Sequence, residues 1–150
     1  MYENILLPTD SSAGVADAVE HAIDLASQYG ATLHVLYVVD EDTVASYPGD
    51  EYVHEDEGLE HALEEAGGEA IEAIAERARA ADVDVETVVR HGVPHEQILA
   101  YADDADVDVT VLGSKQRSGE YRRLLGSVAE RVARMSDRPV TIVKTDVDEN

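Results

Sequence analysis

Four cations crowd into nine residues of this chain, Lys115, Arg117, Arg122 and Arg123, against a single acid in the same window, Glu120. In a protein of formal net charge -22 that is a local reversal of sign. The same stretch opens at Gly113, carries Gly119, and closes with Gly126-Ser127 directly before a segment of helical spacing. A glycine-bearing loop between a strand and a helix N-terminus can turn backbone N–H groups toward an anion, and the helix dipole favours the negative charge. The chemistry this implies is phosphate binding, as in a nucleotide-phosphate loop. Two plainer roles coexist with it. Ser127 and Glu130 have the spacing of a capping box, and a serine hydroxyl can accept from a helix amide while donating to a phosphate oxygen. The arginines can also pair with carboxylates on an acidic surface.

The elements that must position this loop alternate along the chain. Ile5-Leu6-Leu7-Pro8 reads as a first apolar strand stopped by Pro8, continuing into Thr9 and Asp10. A helix capped by Ser11 or Ser12 follows on Val15, Ala18, Val19, Ala22, Leu25, Ala26 and Tyr29, with Gly30 as its stop. Thr32 to Val39 is a second strand, apolar enough to be covered on both faces. Residues 40–56 dissolve into acids and Pro48-Gly49 and read as a flexible loop, with a lid over the site as the functional alternative. Gly58 to Ala81 has helical spacing, weakened or bent by Gly67-Gly68. Val85 to Arg90 is a third strand, and Pro94 opens a short helix to about Asp104. Val107 to Leu112 and Val140 to Val143 are the last two strands. One α/β domain over residues 1–150 with a parallel sheet is expected. Ligands in such sheets bind beyond the carboxyl ends of strands where strand order reverses. The first strand and the loop-bearing fourth strand are the two candidates to flank that point. Asp10 there could accept hydrogen bonds from a ribose or a base, or simply close an Asx turn.

Composition excludes several classes. With no cysteine there is no disulfide framework, thiolate nucleophile or cysteine metal site. No run reaches membrane-spanning length, and Met1-Tyr2-Glu3-Asn4 lacks a basic signal region, so a soluble, cytoplasmic protein away from membranes is expected. Thirty-three acids face eleven basic residues, which argues against a nucleic-acid partner, since a phosphate backbone needs a basic face. A carboxylate excess on a folded surface suits high salt, where screening mutes self-repulsion, so a halophilic source is expected. No GxxxxGK[ST] motif is present. His91 and His95 are four apart, but Gly92 and Pro94 between them deny a shared helix face, so no metal site is assigned. His54, His61 and Asp103-Asp104-Ala105-Asp106 read as solvated surface, and nothing marks one serine as an activated nucleophile.

ILLPTDSS at the start, Gly92-Val93-Pro94 in the middle and LGSKQRSGEYRRLLGSVAERVARMSDRPVTIVK near the end resemble the universal stress protein family, in the same order over essentially the whole chain. With the acidic surface, the resemblance points to a haloarchaeal member. It implies an open five-stranded parallel sheet ordered 3-2-1-4-5 with helices on both faces, a Rossmann-like fold of the adenine nucleotide alpha hydrolase type. In the ATP-binding branch a glycine, two residues, a second glycine, nine residues and a final Gly-Ser or Gly-Thr hold the phosphates. Gly113 and Gly126-Ser127 keep that spacing here, but Gln116 stands in the second glycine's place, where a side chain restricts the backbone. The resemblance sets adenine and ribose against Pro8, Asp10 and Val38, with Leu112 lining the pocket. The cofactor-binding set is then Pro8, Thr9, Asp10, Val38, Leu112, Gly113, Ser114, Gln116, Arg117, Gly126, Ser127 and Val128. It also implies a homodimer joined through the edge strand 139–143, where unpaired backbone groups invite a like edge.

Three functions from different classes follow. One is a stress-responsive regulatory module binding ATP or AMP, with Mg²⁺ bridging phosphate oxygens and an unknown protein reading its surface. Another is a nucleotide-free dimeric interaction module in which Gln116 marks a lost site. The last is a slow nucleotide hydrolase, for which no general base is identifiable.

Overall fold

The computed structural model describes residues 2–9, 16–40, 53–116 and 127–146. Strands β1 (Asn4–Thr9), β2 (Thr32–Asp40), β3 (Val85–Gly92), β4 (Val109–Gln116) and β5 (Val140–Asp146) alternate with helices α1 (Ala16–Tyr29), α2 (Val53–Ala80), α3 (Pro94–Asp104) and α4 (Ser127–Met135). All four strand pairs are parallel and the sheet order is β3-β2-β1-β4-β5. Parallel strands need crossovers that lay helices on the faces, so successive side chains of the central strands enter two different cores. Ile5, Leu7, Leu33, Val35, Val109 and Val111 pack with α1 and α2 residues such as Val19, Ala22 and Ile71. Leu6, Leu36 and Leu112 pack on the other face with Ile98 and Tyr101 of α3 and Ala129 and Val132 of α4.

Three helices end by one device. The amide of Ala31 donates to Ala26 O at 3.0 Å, that of Val83 to Ala78 O at 2.9 Å, and that of Val107 to Ala102 O at 2.9 Å. Each bond spans a residue with positive φ: Gly30 (65°), Asp82 (62°) and Asp106 (53°). This is the Schellman stop. Gly30 is legible as one in the sequence, whereas the two aspartates use the tolerance of short polar side chains for left-handed backbone.

Several element boundaries differ from the sequence reading. Pro8 does not end β1, because it still faces Leu36 of β2 and Thr9 faces Tyr37. Helix α2 starts at Val53, inside the stretch read as a loop, while residues 41–52 lie outside the described residues. Strands β2 and β3 each run on, to Asp40 opposite Gly92. Strand β4 starts at Val109 and continues through Gln116, in register with β5 as far as Gln116↔Asp146. The Gly-Ser-Lys-Gln tail of β4 has weak strand propensity, and pairing with Val143-Lys144-Thr145-Asp146 overrides it.

Candidate functional site

Strands β1 and β4 are adjacent and central, and they are the two strands on either side of the reversal in strand order. At their amino ends they are fastened. One carboxylate oxygen of Asp108 accepts the amides of Glu3 at 2.7 Å and Asn4 at 2.9 Å, while the Asp108 amide donates to Asn4 O at 2.8 Å. The two backbone donors hold the Asp108 carboxyl below the usual carboxylate range. Toward their carboxyl ends the ladder between them stops. Their register covers Ile5↔Val109 and Leu6↔Thr110. Beyond it β1 continues three residues in register with β2, and β4 continues in register with β5. A crevice at the carboxyl edge between two such strands is where open α/β sheets take ligands.

Several residues named from the sequence lie toward the carboxyl ends of β1, β2 and β4. Pro8 and Thr9 are buried at the end of β1. Val38 near the end of β2, Leu112 on β4 and Val128 in the first turn of α4 all pack into the same core cluster. Leu112 is buried, Val38 and Val128 half-buried, and Gly113 half-buried beside them. Ser127 is the first residue of α4 and is exposed. The Glu130 carboxylate, read as reaching back toward Ser127, pairs forward with Arg134 Nη2 at 2.7 Å. Ser114 and Gln116 lie in the strand itself, so β4 runs on past Gly113, where the loop was expected to open. Asp10, Arg117 and Gly126 lie outside the described residues.

A model of the Universal stress protein family matches residues 1–144. This chain belongs to that family. It is 34% identical over 144 residues to universal stress protein MJ0531 of Methanocaldococcus jannaschii, covering 96% of this chain and 83% of that one. It is 32% identical to universal stress protein YxiE of Bacillus subtilis over 148 residues, covering 96% and 100%. Among solved structures, the MJ0577 protein of Methanocaldococcus jannaschii superposes with a TM-score of 0.83 at 28% identity, covering 99% of both chains. A universal stress protein solved in complex with cAMP superposes with a TM-score of 0.64 at 26% identity, covering 95% and 97%. The family's five-stranded order is the one seen here.

One polar cluster escaped the sequence reading. His34 is buried on β2. Its Nε2–H donates to Asn4 Oδ1 at 3.0 Å, which leaves Nδ1 to accept the Tyr101 hydroxyl at 2.7 Å. Burial pushes the His34 pKa down, against the pull of Glu86, and burial pushes the Tyr101 hydroxyl up. Arg90 lies over the Tyr101 ring at 4.9 Å and donates to Asp104 at 3.1 Å. The signal was available: a histidine inside a strand apolar on both faces must have its ring nitrogens satisfied. The cluster sits near the amino end of β2, away from the crevice, and holds α3 to the sheet.

Proposed function

We propose that this universal stress protein is a regulatory module that binds an adenine nucleotide, ATP or AMP, at the crevice between β1 and β4. The observation that carries the reading is the place of those strands on either side of the reversal in strand order, where their register ends at Leu6↔Thr110 while both strands continue. The residues present suit the ligand. Val38, Leu112 and Val128 offer an apolar wall for a flat base, and the exposed start of α4 at Ser127 offers amides and a dipole for phosphate. A family member at 26% identity that was solved with cAMP supports the ligand class. Asp10 would meet the ribose, and Arg117 and Gly126 would complete the phosphate cradle, with Mg²⁺ accompanying a triphosphate. The protein would act in the cytoplasm of a haloarchaeon, as one domain, and pair as a homodimer through β5, an edge strand of the sheet. No helix among the described residues is long and apolar enough to cross a membrane.

Calorimetry of the full chain with Mg-ATP and with AMP in molar salt tests the reading. Saturable binding abolished by Gly126→Leu is the expected result. A folded protein that takes up neither nucleotide would sink it in favour of a nucleotide-free dimeric interaction module, which the strand geometry at Gln116 favours as the second reading. Light scattering in the same buffer tests the dimer, and a monomer overturns it.

A further inference from the structure

Helix α2 carries acidic pairs at four-residue spacing at Glu60/Glu64, Glu65/Glu69 and Glu72/Glu76, and on a chain this acidic such pairs by themselves are solvated surface. The first pair differs because a third donor from another element meets it. His91, on the last turn of the β3 ladder opposite Val39, reaches across to α2. Its Nε2 stands 2.5 Å from Glu64 Oε2 and 3.5 Å from Glu60 Oε2. One ligand atom from each of the three residues lies within 4.8 Å of the other two. The side chains are a third to a half exposed, Glu60 47%, Glu64 40% and His91 33%, so a hydrated ion can reach them.

We propose that Glu60, Glu64 and His91 form a site for a divalent transition cation, with Zn²⁺ the best match. One imidazole nitrogen and two carboxylate oxygens are a donor set that Zn²⁺ accepts, with the remaining position open to water. Around a tetrahedral ion with bonds of about 2.0–2.1 Å, ligand atoms stand about 3.3 Å apart. The observed separations come within about 1.5 Å of that without any backbone movement, a distance side-chain torsions cover. Mg²⁺ is disfavoured, because it takes oxygen ligands and keeps its own waters. The ion would relieve the repulsion between two carboxylates and fasten the amino-terminal half of α2 to the carboxyl end of β3. His61, which pairs with Glu65 at 3.2 Å on the same helix, takes no part.

The site is independent of nucleotide, so the test uses none. Purified full-length protein, stripped with a chelator, is dialysed against zinc chloride in molar salt and the bound metal is quantified. Expected are one zinc per chain in the wild type and in His61→Gln. Glu64→Gln and His91→Gln, checked for fold by circular dichroism, should bind at least about 10–100-fold more weakly, the range already seen for loss of outer-shell partners. Excess magnesium should leave the zinc in place, and the His91 ring resonances should shift on loading. The proposal is overturned by no uptake in the wild type, by uptake undiminished in folded His91→Gln, or by ready displacement with magnesium.

Discussion

The ring of Tyr37 on β2 rests directly against Gly67 of α2, in space that any larger residue would need. A Cβ on Gly67 would stand 2.1 Å from Tyr37 Cδ2 and 2.6 Å from its Cγ. Gly67 is therefore a packing residue on a buried helix face, whereas Gly68 beside it has nothing within 4 Å of its Cβ position. Gly67→Ala should lose stability although alanine favours helix by about 1 kcal/mol. Overpacking of this kind costs about 1–3 kcal/mol and the ring cannot retreat through the sheet. Gly68→Ala, lacking the clash, should gain up to about 1 kcal/mol. Denaturant unfolding of the two variants side by side checks the pair, and equal effects would show that the ring yields.

His34 makes stability depend on pH with a definite sign. Its folded pKa lies below the free value of 6.5, so the unfolded chain takes up the proton first as pH falls. The contribution of the neutral, hydrogen-bonded ring is whole above pH 6.5 and declines as pH drops from there toward the folded pKa. Unfolding free energies measured at steps through that interval should show an extra slope, at most about 1.4 kcal/mol per pH unit for one proton, that is missing in His34→Gln. Tyr101→Phe removes the donor to Nδ1 and should cost about 1–3 kcal/mol at neutral pH.

Asp82 holds a left-handed turn at the end of α2 with φ of 62°. Left-handed backbone costs a side-chain-bearing residue about 1–2 kcal/mol, partly offset for aspartate by its short polar group. Asp82→Gly should therefore raise the melting temperature modestly, and removing one carboxylate from so acidic a chain acts in the same direction. A lower melting temperature would show that the aspartate side chain supplies more than the turn costs.

Gln116 separates the fold from the proposed ligand. Inside β4, Gln116→Gly should cost about 0.5–1 kcal/mol of stability through lost backbone restriction. The same change frees the backbone at the place where the nucleotide-binding branch carries glycine, so nucleotide affinity should rise. Calorimetry and unfolding on one protein sample read both, and a fall in both would mean that Gln116 itself helps hold the ligand.

Charge sets a further expectation. Thirty-three acids against eleven bases repel one another over a screening length of about 30 Å at 0.01 M salt but about 3 Å at 1 M. The melting temperature should rise steeply with added salt, and a flat salt dependence would contradict the account.

The order of elements, the parallel sheet and both apolar faces of the central strands could be read from the chain alone, because each rests on local periodicity and on a few glycines and prolines. Family resemblance then supplied the strand order, which periodicity cannot. Tertiary structure decided what depends on a neighbour far along the chain. Pairing with β5 carried β4 through a poor strand sequence to Gln116, Tyr37 turned Gly67 from a helix weakness into a fitted contact, and Tyr101 and Asn4 gave His34 its two partners. Glu60 and Glu64 met His91 only because α2 crosses the end of β3. Such meetings are set by where whole elements dock, and no local pattern in the amino acids encodes them.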